Sequence, residues 1–194
     1  MMLRLPILVL LAAAALVAGC GGGDDGNGGQ EGVPPADWAQ TVCGALADWQ
    51  ASLQEQSQSL SGTVLEAETP QAAKDQIGEF LANVIADTET MIGIVEDAGD
   101  PAVDRGGEIA NDFQARLQEM RTAFQAARQR VEEVPTDDPQ AFQQALTEIG
   151  QELQTQGEAI GNRLDEIDER YDADELSEAF DATPACQDFA GTGE

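Results

Sequence analysis

Residues 101–135 read PAVDRGGEIANDFQARLQEMRTAFQAARQRVEEVP, and this stretch decides the fold class. Its apolar residues fall at Val103, Ala110, Phe113, Leu117, Met120, Phe124, Ala127 and Val131, in steps of three and four. That spacing places one apolar stripe along a helix and leaves the intervening Arg, Glu, Gln and Asn on the solvent side. Strand alternation is absent. Asp100–Pro101 supplies the residue types favoured at an N-cap and first helical position, and Pro135 supplies a stop.

Working outward, the same pattern recurs on both sides. Upstream, Thr69–Pro70 repeats the N-cap and proline device. A stripe then runs through Ile77, Leu81, Val84, Thr88, Met91 and Val95, widened by Phe80, Ile85 and Ile92, to a C′ glycine at Gly99. Earlier still, Pro34–Pro35 precedes Trp38, Val42, Leu46, Trp49, Leu53 and Leu60, with a helix end expected near Ser61–Gly62. Downstream, Asp138–Pro139 opens a stripe of Phe142, Leu146, Ile149, Leu153, Ile160, Leu164, Ile167 and Tyr171. A short fifth segment, Asp174 to Phe180, follows. The expectation is an all-α chain, an antiparallel up-down-up-down four-helix bundle with a short C-terminal helical segment. Its apolar face is wider than a coiled-coil seam, and its helices imply a rod about 40–50 Å long at 1.5 Å per residue.

Composition narrows what such a bundle can do. The 194 residues carry 9 Lys+Arg against 37 Asp+Glu, a formal charge of −28, and no His. A surface this negative repels phosphate backbones, which excludes nucleic acid as a partner. Without His there is no imidazole base or ligand, so Ser-His-Asp and Cys-His units are absent. At 42% hydrophobic residues, the chain can still bury a core.

The N-terminus reads as an address. Arg4 is the only charge before Asp24, and Leu5–Val17 is an apolar run too short to span a bilayer. Leu16-Val17-Ala18-Gly19-Cys20 follows. This resembles the lipobox of bacterial lipoproteins, here of actinobacterial type with a helical ectodomain. The resemblance implies a signal peptide over residues 1–19, cleavage after Gly19, and diacylglycerol on the Cys20 thiol. It covers the leader alone and transfers no binding residues to the rest. A plain secretory signal with an incidental cysteine is the other reading. Two acyl chains suffice for stable anchoring, so the implied location is the outer face of the cytoplasmic membrane. Cleavage would remove only Arg4, leaving the mature chain one unit more negative.

Residues 21–35 hold seven glycines in fifteen positions, a tether spanning about 20 Å by the square-root scaling of flexible chains. The expected organisation is therefore leader 1–19, lipidated Cys20 plus tether 20–35, helical ectodomain 36–190 and a disordered tail 191–194. With Cys20 consumed by lipid, Cys43 and Cys186 remain. In an up-down-up-down topology the start of the first helix and the end of the fourth lie together. An exported compartment permits the bond, so a Cys43–Cys186 disulfide is expected, with two buried thiols as the alternative. In the chain-entropy model a loop this long contributes about 5 kcal/mol.

Acidic clusters are the most visible candidate chemistry. Asp97, Asp100 and Asp104 gather at the second inter-helix turn, and Asp165, Asp168 and Asp172 sit at the end of the fourth helix. Carboxylate oxygens suit a Ca²⁺-like cation, but the EF-hand pattern is missing and a solvated acidic face explains the same residues. Glu166 lies at helical spacing from Arg163 and Arg170. A carboxylate acid–base pair would need a buried acid, and nearly all the acids fall off the apolar stripes. Trp38, Trp49 and the phenylalanines read as core, or else as an aromatic ligand groove. Met91 and Met120 read as core filler. Gly150, Gly157 and Gly161 share one flank of the fourth helix, for close helix approach or for a shallow groove. No catalytic residue and no cofactor are expected. The functional expectation is a non-enzymatic binding or scaffolding lipoprotein, held to the membrane through Cys20 and facing an envelope protein or cationic partner. Its rival is a ligand-binding lipoprotein, either a hydrophobic carrier or an acidic cation site.

Overall fold

The computed structural model describes residues 32–191, save the side chains of residues 161, 163–165, 168, 169 and 188–191. The leader, Cys20 and all but the end of the tether lie outside the described residues, as do residues 192–194. The described chain is all-α: α1 Pro35–Glu66, α2 Pro70–Asp97, α3 Gly106–Glu133, α4 Pro139–Tyr171, α5 Asp174–Ala182 and α6 Pro184–Gly191. No described helix is long and apolar enough to cross a membrane.

Helix starts follow the capping chemistry in two of the three expected places. Thr69 Oγ1 accepts from the Ala72 amide at 3.1 Å, and Asp138 Oδ1 accepts from Gln140 and Ala141 at 2.9 and 3.2 Å. Gly99 follows the end of α2 at φ +71°, the left-handed conformation a C′ residue needs. The third expectation fails, because Asp100–Pro101 does not open α3. The helix begins five residues later at Gly106, after Arg105 at φ 57°. The intervening turn folds so tightly that a Cβ on Gly106 would stand 1.9 Å from the Pro101 carbonyl oxygen. Only glycine permits this return, and it lets Val103 insert its side chain into the core.

Three other boundaries differ from expectation. α1 runs through Gly62 to Glu66, with the Ser61 and Thr63 hydroxyls bonded back to the Ser57 and Leu60 carbonyls. No proline stands there to stop it, and the extended Ala67 precedes Thr69–Pro70. The C-terminal segment is two helices rather than one. Pro184 cannot donate an amide to continue α5, so the chain turns at the buried Thr183 and starts α6. The end of the expected tether is fastened: Val33 pairs with the α2–α3 turn through Val33 N to Asp100 O (2.8 Å) and Ala102 N to Val33 O (2.7 Å).

Consecutive long helices pack side by side, and α5 and α6 pack on α1. Cross-helix bonds set the directions. Ser52 and Trp49 of α1 bond Asp87 and Thr88 of α2. Lys74 of α2 reaches the carbonyls of Glu132 and Val134 at the end of α3. Arg130 of α3 pairs with Glu152, and Asp112 with Arg170, on α4. Lys74 and Asp112, early in α2 and α3, meet the ends of α3 and α4, while Arg130, late in α3, meets the middle of α4, so α3 runs antiparallel to α2 and to α4.

The apolar stripes close into two clusters. One joins Trp38, Val42 and Leu46 to Met91, Val95, Ile109, Leu117, Ile167 and Leu176. The other joins Ala73 and Leu81 to Ala127, Val131, Phe142 and Ile149. Cys43 and Cys186 are bonded, with Cα atoms 4.9 Å apart, which fastens α6 to the first turns of α1.

Candidate functional site

The cysteine-linked end carries most of the side chains singled out from sequence. Asp97 ends α2, Asp100 and Asp104 lie in the turn before α3, and Asp172 follows α4 at φ 51°. The side chains of Asp165 and Asp168, the remaining two candidates, lie outside the described residues. Among the described residues, no group of three or more His, Cys, Asp or Glu is arranged to hold a metal ion.

What the fold assembles at this end is a clamp that the acidic spacing did not reveal. Asp112 of α3 accepts from Arg170 Nη1 at 2.7 Å and from the Tyr171 hydroxyl at 2.8 Å. The Arg105 guanidinium lies 4.5 Å over the centre of the Tyr171 ring and donates to Glu108 at 2.5 Å. The hydrogen bond to the Asp112 carboxylate raises the Tyr171 pKa, because a phenol donating to an anion resists deprotonation. Arg105 lowers the Glu108 pKa by bonding its charged form, and Glu108 in turn raises that of Arg105. Asp112 and Arg105 were legible only as scattered surface charge. Their pairing depends on α4 returning to the start of α3. Arg170, read from sequence as a helical neighbour of Glu166, is directed across to α3.

Two guanidinium groups therefore stand at this end, and Arg105 lies close enough to Asp104 to interact with its charge. Chemically the arrangement links helices and offers an acidic, partly neutralised surface. The lowered Glu108 is also the opposite of a general acid, whose carboxyl must be raised.

The entry of the chain is tied to the same end. Trp38 Nε1 donates to the Gly99 carbonyl at 2.8 Å, next to the Val33 pairing. Trp38 is buried, edge-on to Phe113 and Phe180 at 5.9 and 5.8 Å between centroids. Trp49 tilts against Phe124 and bonds Thr88. These five aromatics fill core and line neither of the recesses described below, although another phenylalanine, Phe80, lines the recess between α1 and α2. Met91 is buried with them and Met120 packs at their edge.

Two larger recesses lie elsewhere among the described residues. A shallow one of about 780 Å³ runs between α3 and α4, where Ala115, Thr122, Ala126, Thr155 and Ala159 are exposed. Its walls are mainly alanine, threonine and glutamine, with Glu119 and a single isoleucine, Ile160, where a hydrophobic carrier would present many Phe, Leu and Ile. The second, about 250 Å³, lies between the C-terminal half of α1 and the N-terminal half of α2. Gly150 and Gly157 meet nothing within 4 Å of where a Cβ would stand, so close helix approach does not explain them. Gly161 lies among the side chains outside the description. No family model, curated protein or solved structure matches the chain.

Proposed function

We propose that the chain is a lipoprotein anchored through Cys20 at the outer face of the cytoplasmic membrane. Its ectodomain serves as a non-enzymatic binding or scaffolding module for an envelope protein or cationic partner. In this reading the four long helices form an up-down-up-down bundle, with α5 and α6 closing its side against α1.

The observation that supports it is the fastening of Val33 to the α2–α3 turn. A domain hung from a tether needs its entry fixed to the body, and this entry lies at the acidic end. Anionic lipid repels a surface of this charge, so the lipid would hold the domain while the protein stands clear. The exposed carboxylates suit a basic partner surface through long-range attraction.

The deciding experiment labels the full-length chain with an alkyne fatty acid in a bacterial host and fractionates the cells. Acylation and membrane retention that both vanish in Cys20→Ser support the reading. Unlabelled, freely soluble chain overturns it. Crosslinking of the retained protein to one basic envelope partner would complete it.

A further inference from the structure

The groove between α1 and α2 has a polarity pattern that its helices impose. The Ser52–Asp87 and Trp49–Thr88 bonds set the antiparallel register. That register puts Gln56 opposite Asn83 at one end of the groove and Thr63 opposite Gln76 at the other. Leu60 and Phe80 line the stretch between them. Seven residues of helix separate Gln56 from Thr63, so the groove is about 10 Å long.

Both ends hold an unanswered acceptor. The side-chain oxygens of Gln56 and Gln76 are buried and have no hydrogen-bond partner among the described residues. The Gln56 amide cannot simply be turned round. Its Nε2 donates to Ser52 Oγ at 2.9 Å and to Asp87 Oδ2 at 2.5 Å, and reversal would set its oxygen against that carboxylate. A buried carbonyl left unpaired is destabilising, and here two of them close the ends of a single recess. Glu79 adds a carboxylate, while no basic side chain lines the groove. Acceptors at both ends, an apolar middle and a negative field call for a ligand with a cationic donor at each end and methylenes between.

We propose that this groove binds a small aliphatic diamine. One ammonium donates to Gln56 Oε1 beside Asn83, and the other donates to Gln76 Oε1 near Glu79. The alkyl chain lies against Leu60 and Phe80. A monoamine satisfies one end only, and an anion meets the Glu79 carboxylate with no basic side chain in the lining to offset it. The site is independent of the anchor, since it uses no residue before Gln56.

Isothermal titration of the full-length chain with putrescine and with butylamine tests it, at matched ionic strength. Saturable one-to-one binding is expected, with putrescine at least tenfold tighter than butylamine. Gln76→Leu should lower the putrescine affinity about tenfold, the scale of one charge-assisted hydrogen bond. Glu79→Gln, at an exposed position, should weaken it severalfold and covers the case in which Gln76→Leu misfolds. Glu158→Gln, remote on α4, should leave it unchanged. Equal affinity for the two amines, no saturable binding, or equal losses in Gln76→Leu and Glu158→Gln would overturn the proposal in favour of diffuse attraction to an acidic surface. Cys20→Ser should leave the affinity unchanged, which separates failure of this site from failure of the anchor.

Discussion

The two ends of the bundle are built from the same kind of helix but are held differently. At the cysteine-linked end, side chains from α1 to α5 meet in one cluster around Trp38. A disulfide, the Val33 pairing and the Asp112 clamp reinforce it. At the far end the cluster is smaller and draws chiefly on α2, α3 and α4. There α1 contributes only partly buried Val64, with Ala67 just after its end, and Leu65 is 88% exposed. α1 shows this asymmetry by itself, since its fully buried residues all lie between Trp38 and Leu46. A uniform apolar stripe therefore does not mean a uniform core. Burial is decided by what returns to cover the stripe, and α5 and α6 return to one end only.

The sharpest way to break this comparison is to open the disulfide. The Cys43→Ala/Cys186→Ala double variant should lose up to about 5 kcal/mol in chemical denaturation. Hydrogen exchange should localise the first added opening to α5 and α6. Opening that begins instead at the α2–α3–α4 cluster would mean the two ends are equally secured.

Glycine substitution should have opposite signs in two places. Gly106→Ala drives a Cβ into the Pro101 carbonyl, a backbone atom, and should cost about 3 kcal/mol as the turn is displaced. Gly150→Ala enters open space inside a helix and should raise stability by about 1 kcal/mol. Paired urea titrations would read both, and matching signs would refute the distinction.

At the far end the sole lysine is the nearest thing to a clasp. Lys74 Nζ donates to Glu132 O at 2.6 Å and Val134 O at 2.9 Å, where α3 ends and its carbonyls lack helical partners. Lys74→Met keeps the stem and should cost about 1 kcal/mol in thermal melts. A loss approaching that of the cysteine variant would show that the far end is not the weaker one.

The smallest effect concerns pH and belongs to the clamp. The Tyr171 pKa is raised above its ordinary value of 10.0, so the stabilisation it reports is present below pH 10 and is lost as pH rises through the raised value. The Glu108 pKa is lowered from 4.5, so its share is present above that pH and is lost as pH falls through the lowered value. Melting temperatures of Tyr171→Phe should show a shallower alkaline decline than the parent. An unchanged slope would remove Tyr171 as its source.

Much of this fold could be read from spacing and punctuation. Steps of three and four placed all four long helices, and Thr69 and Asp138 marked two starts by capping chemistry that acts within four residues. The start of α3 was misread because Asp100–Pro101 has the same local signature, while the deciding constraint is the contact of Gly106 with Pro101 and of Val33 with the turn. The cysteines could be paired because topology and redox chemistry pointed the same way. The Asp112–Arg170–Tyr171 clamp had no such signal, since its members lie 58 and 59 residues apart on different helices. The acceptors in the α1–α2 groove were equally hidden. Glutamine is common on exposed helix faces, and only the register shows that two of them lack donors.

The pairing of Val33 with Asp100 and Ala102 also sets how the domain would carry a load. Tension arriving through residue 32 does not fall first on the opening turn of α1. It is received by two hydrogen bonds to the α2–α3 turn, with Trp38 bonded to Gly99 just behind them. The first event under force would be the release of Val33 from that turn. Up to that point α1 stays wound, with Cys43 and its partner Cys186 undisturbed.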